Sequence, residues 1–117
     1  MARYTQNFTV KIAKHDLHPV ILECFKLCDL AILYQTDEYI LAQELIGQVS
    51  YHQLVNVEIL INQTWNSGEL QQIKFTCVTK NAELPLREHN HCRAVADLVH
   101  KTFLLSPRWQ ILGNTAG

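Results

Sequence analysis

Val55-Asn56-Val57-Glu58-Ile59-Leu60-Ile61-Asn62 and, beyond Asn66-Ser67-Gly68, Gln72-Ile73-Lys74-Phe75-Thr76-Cys77 decide how this chain is read. Val55, Val57, Ile59 and Ile61 recur at every second position in the first stretch, and Ile73, Phe75 and Cys77 do so in the second. A period of two puts each set on one face of an extended strand, and a turn-rich break between two such runs marks a β-hairpin. Folding about Ser67 sets Ile61 opposite Ile73, Ile59 opposite Phe75 and Val57 opposite Cys77, with Glu58 and Lys74 as neighbours on the solvated face.

Upstream, residues 3–13 alternate in the same way, Tyr4, Phe8, Val10 and Ile12 against Thr5, Asn7, Thr9 and Lys11, which predicts another half-buried strand. Asp16 and Pro19 then suit the first turn of a helix, and Val20, Ile21, Cys24, Phe25, Cys28, Ala31 and Ile32 recur at offsets of three and four. That spacing predicts a helix over 17–34. Thr36 as a cap, with Asp37 and Glu38 where a helix dipole favours negative charge, predicts a second helix over 37–49, although Tyr39 to Leu45 also fits a strand and Gly47 disfavours a helix. Cys92, Val95, Ala96, Val99 and Phe103 predict the last helix, over 88–105, ended by Ser106-Pro107.

The expected fold is therefore α+β: a two-layer domain with an antiparallel sheet of three or more strands and two to three helices packed on one face. A chain of 117 residues fits one such domain. It is read as spanning 1–112, with Trp109 pinning a frayed tail of residues 113–117. A hydrophobic content of 48% with 18% charged residues is that of a globular protein. The absence of a long apolar run or signal-like start weighs against a membrane and reads as cytoplasmic. Cys24, Cys28, Cys77 and Cys92 sit within apolar patterns and read as reduced core thiols.

Charge is divided along the chain. Residues 27–73 hold Asp29, Asp37, Glu38, Glu44, Glu58 and Glu69 and no lysine or arginine, whereas the flanks hold all ten cationic side chains against five carboxylates. Such a division either closes on itself or leaves oppositely signed faces for partners. With the acidic middle, Arg87, Arg93, Lys101, Arg108 and Trp109 make a thin case for nucleic acid. Phosphate loops, nucleophile elbows and His-Glu-x-x-His are absent, and no cofactor is implied.

The leading expectation is a protein-binding or adaptor module without catalytic activity, self-associating as a homodimer. Its binding residues are read as Trp65 in the hairpin tip, Glu58, Lys74, Asp37, Glu38 and Glu44, since exposed tryptophan favours recognition. The alternative is a small metal-binding or thiol-dependent enzyme built on His89, His91 and Cys92, with His15 or His18 as further ligands. His89 and His91 lie two apart and diverge on a helix, and Cys92 falls at a core position of the helical pattern.

Overall fold

A computed structural model describes residues 1–47, 49–67, 70–84 and 90–116, with side chains at 63–67 and 70 outside the description. The elements run β1 (Ala2–Ile12), α1 (Lys14–Leu27), β2 (Leu30–Gln35), β3 (Tyr39–Glu44), a short 3₁₀ turn (Tyr51–Gln53), β4 (Asn56–Ser67), β5 (Leu70–Asn81), α2 (His91–Leu105) and β6 (Gln110–Ala116). Six strands form one antiparallel sheet in the order β2-β3-β4-β5-β1-β6. Both helices cover one face, so the α+β expectation holds with a larger sheet and two helices.

The period-two pattern has the consequence expected of it. Phe8, Val10 and Ile12 on β1, Val57 and Ile59 on β4, and Ile73, Phe75 and Cys77 on β5 are all buried beneath the helices. Phe103 of α2 stands edge-on to Phe8 and Phe75, with ring centroids 5.4 and 5.8 Å away, while Phe8 stacks on Phe75 at 5.2 Å. Trp109 closes the cluster against Phe103 and donates its indole N–H to the Phe103 carbonyl at 2.8 Å. Buried aromatic contacts of this kind add about 0.5–1.5 kcal/mol each beyond the area they bury.

Four expectations are corrected. The hairpin pairs Ile61 with Phe75, Ile59 with Cys77 and Val57 with Thr79, two residues away from the register obtained by folding about Ser67. The strands pair out to Ser67 and Leu70, and a bulge intervenes between Ile61 and Gln63. A slip of two keeps every side chain on its face, which is why the core was identified although the partners were not.

The helix expected over 17–34 ends at Leu27, and Leu30–Gln35 is a strand. Asp29 adopts φ 58°, a left-handed conformation that terminates α1. A short apolar run fits either period, and here the edge of the sheet takes it. The helix also begins earlier, at Lys14 with Ala13 as an uncapped N-cap, so Asp16 lies inside the first turn and Pro19 beyond it.

The second helix, over 37–49, is absent. Tyr39–Glu44 is a strand that buries Ile40 and Ala42. Thr36 caps a hairpin turn: its hydroxyl accepts from Glu38 N at 3.3 Å, and its own N–H donates to Tyr39 O at 2.7 Å. Gly47, the residue that argued against a helix, has φ 99° in the turn that follows β3.

The tail is not frayed through residue 116. It forms β6, which pairs with β1 from Lys11↔Gln110 to Gln6↔Ala116. No helix among the described residues is long and apolar enough to cross a membrane.

Candidate functional site

The cation-free segment 27–73 supplies β2, β3 and β4, and these three strands are adjacent in the sheet. Arg3 and Lys11 on β1, with Lys74 and Lys80 on β5, lie in the other half. A division along the chain has thus become a division across the sheet. All four of these cations point away from the helices, as the alternation with buried Phe8, Val10, Ile73, Phe75 and Cys77 requires.

Glu58 occupies the seam between the two halves. It pairs across β4–β5 with Val78, and Lys80 on the same face forms an ion pair with Glu58 Oε1. Tyr39 donates its hydroxyl to Glu58 Oε2 at 2.7 Å. Burial acts to raise the Glu58 pKa, but Lys80, Tyr39 and the nearby Arg3 outweigh it and hold the carboxyl below its ordinary range. The neighbour expected from the sequence was Lys74. Lys74 lies further along β5, opposite Thr9 and Gln63.

The remaining carboxylates do not gather into one patch with Glu58. Asp37 and Glu38 occupy the β2–β3 turn, whereas Asp29 and Glu44 lie at the opposite end of that strand pair. Glu44 is engaged internally, with Oε1 accepting from Val55 N at 3.0 Å. Both of its oxygens lie 2.8 Å from His91 Nε2. A carboxylate only accepts, so Nε2 carries the proton there. Trp65 is a strand residue of β4 opposite Gln72, not a turn residue, and its side chain lies outside the description.

Beside Asp37 and Glu38 a cleft opens that sequence reasoning did not find. Lys14, His15 and His18 of α1 form one wall, Asp37 and Glu38 the other, and Leu17, Ile61 and Ile73 contribute apolar surface. It encloses about 770 Å³. His18 spans it at one point, donating Nε2–H to Thr36 O at 2.8 Å. The sequence signal for it is the run Lys14-His15-Asp16-Leu17-His18, whose partner turn lies about twenty residues on, in a stretch that also fits a helix.

The described residues at the start of α2 form a helix cap. Asn90 accepts from Arg93 N at 2.7 Å and donates to Tyr4 Oη at 2.8 Å. Glu83 accepts from His91 N at 3.2 Å, Cys92 N at 2.8 Å and Asn81 Nδ2 at 2.5 Å. Burial acts to raise the Glu83 pKa, yet these donors together lower it. Cys92 is 0% exposed, and burial, with Glu83 and Glu44 adding to it, pushes its thiol up to about 12. At neutral pH it is protonated and packed in the core.

His89 lies outside the described residues. His18 and His91 sit at opposite ends of the β2–β3 pair, so these two do not converge. Among the described residues no three His, Cys, Asp or Glu side chains gather where a metal could be held.

Compared with known proteins, the chain matches no family model, no curated protein and no solved structure.

Proposed function

We propose that this chain is a docking module without catalytic activity of its own, which associates with copies of itself and with a protein partner through a sheet whose cationic side chains are confined to one half. The observation that carries this reading is the placement of β2, β3 and β4 side by side, without a lysine or arginine, next to strands bearing Arg3, Lys11, Lys74 and Lys80. A cationic half-face speeds encounter with an acidic surface and selects orientation, and its effect fades with salt. The described thiols support residence in a reducing compartment, since Cys24, Cys28, Cys77 and Cys92 are all free and buried.

Sedimentation across protein concentration and ionic strength is the test. The mass should rise with concentration at low salt and fall as salt increases. A monomer under every condition, with no partner recovered on the immobilised protein, would sink the proposal.

A further inference from the structure

We infer that copies of this chain join head to tail, β6 of one molecule pairing antiparallel with β2 of the next, so that the sheet continues from copy to copy. The inference rests on the self-association proposed above and specifies its geometry. Every neighbouring strand pair in the sheet is antiparallel, and the sheet has six strands, so the two edge strands, β2 and β6, run in opposite directions. A second copy placed beside the first by simple translation therefore brings β6 alongside β2 in antiparallel sense, with the helices of both copies on the same side.

Neither edge is protected in the usual chemical way. Edge strands are commonly blunted by lysine, by proline, by inward-pointing charge, by short length or by a bulge, and of the chemical devices neither edge here has one. Leu30–Gln35 and Gln110–Ala116 contain no charged residue and no proline. Each carries a one-residue bulge, and the extra residue is a leucine in both: Leu33, between the pairs Ile32↔Ala42 and Tyr34↔Leu41, and Leu112, between Thr9↔Gly113 and Val10↔Ile111. These leucines are 55% and 45% exposed, and Tyr34 beside the first is 57% exposed. Two matching irregularities at apolar, solvent-facing positions suit one another better than they suit water.

Charge disfavours the two-fold contact between two β2 edges. Pairing β2 with β2 of another copy about Leu33 would set Asp29 against the other copy's Asp37, and like charges opposite one another are destabilising. Setting Leu112 against Leu33 of the next copy instead, and continuing that register two residues past each strand end, brings Arg108 toward Asp37 of that copy. Arg108 is partly exposed and held within its own chain by Glu23. A head-to-tail contact of this kind does not close, so it yields a series of sizes instead of a single dimer.

Two edge variants test the geometry, Leu33→Lys on β2 and Leu112→Lys on β6, with folding checked by circular dichroism. Each alone should sediment as a monomer where the unaltered chain forms larger species. Mixed in equal amounts, they should double in mass and stop, because the intact β6 of one meets the intact β2 of the other while the two lysine edges repel. If either variant alone still associates, or the mixture remains monomeric, the head-to-tail arrangement is wrong although self-association stands. A monomeric unaltered chain removes both this inference and the self-association on which it rests. Should either substitution disturb folding, Tyr34→Lys and Asn114→Lys, both at exposed edge positions, give the same comparison.

Discussion

Tyr39 and Glu58 are joined across the β3–β4 pair by a 2.7 Å hydrogen bond in which the phenol donates and the carboxylate accepts. The phenol must keep its proton and the carboxyl must lose its own, and the surroundings enforce both. Burial, with Glu58 next to it, pushes the Tyr39 hydroxyl up to about 12, while Lys80 and Tyr39 outweigh burial at Glu58 and lower its pKa. A depressed carboxyl contributes stability that is present above its unfolded value, about 4.3, and is lost as pH falls through the lower folded value. A raised phenol contributes stability present below about 10 and lost as pH rises through the folded value near 12. Glu58→Gln should cost about 1–2 kcal/mol at pH 7, and its stability should change less than that of the unaltered chain below pH 4. Denaturant melts across pH measure this, and in a phenol absorbance titration Tyr39→Phe should remove one high-pH step.

Glu83 accepts the free N–H groups of His91 and Cys92 and so completes the α2 cap begun by Asn90. Caps of this kind are worth about 0.5–2 kcal/mol, and a carboxylate near a helix N-terminus adds a dipole contribution. Glu83→Ala should lower stability by about 1–2 kcal/mol, and Glu83→Gln by less. Because burial at Glu83 is outweighed by these donors and its pKa is lowered, the advantage over Glu83→Gln should be full above about pH 4.3 and vanish as pH falls below it. Chemical melts of the three proteins at pH 7 and pH 3 give the comparison, and equal stability at pH 7 would remove Glu83 from the cap.

Sequence periodicity revealed what depends on it. Val57, Ile59, Ile73 and Phe75 are buried as alternation requires, and Cys92, Val95, Val99 and Phe103 as helical spacing requires. What escaped was set by single residues acting at turns. Asp29 in a left-handed conformation cuts an apolar run that otherwise satisfies a helical period, and Thr36 caps a hairpin with the same chemistry it would offer a helix. Lys80 in place of Lys74 as the partner of Glu58 follows from the strands pairing out to Ser67 and Leu70, three residues beyond a fold about Ser67, less the one residue that the bulge after Ile61 takes back; no period reveals either. The cleft walled by Lys14 and Asp37 depends on that same hairpin, and was hidden with it.

The thiols separate the docking reading from a thiol-dependent or metal-dependent one. Burial raises all four: Cys24 to about 11, Cys77 and Cys92 to about 12, and Cys28 in the same direction. Reaction with an aromatic disulfide reagent at pH 8 should therefore be negligible in the folded protein and should reach four thiols per chain in denaturant. One rapidly reacting thiol in the native state, removed by Cys92→Ser, would overturn this assignment of Cys92 to the core. Metal analysis of the purified protein adds the second arm, in which stoichiometric bound zinc would favour the alternative built on His89 and His91.

Asp29 holds φ 58°, where a Cβ is strained and glycine is not, and its N–H closes the end of α1 on Lys26 O at 3.2 Å. Aspartate tolerates this conformation better than most residues, so relief by glycine is moderate and is partly offset by the greater freedom of the unfolded chain. Asp29→Gly should gain about 0.5 kcal/mol, a rise of about 2–4 °C in Tm, while Asp29→Ala keeps the Cβ, loses the polar side chain and should fall. Gly47 provides the opposite control. Its φ of 99° lies in the region glycine favours, and no atom within 4 Å would meet an added Cβ. Gly47→Ala should therefore cost about 1 kcal/mol from backbone strain alone. Thermal melts of the three variants test both sites together, and an Asp29→Gly protein no more stable than Asp29→Ala would mean that the turn after α1 is not the point at which the helix is forced to give way to the edge strand.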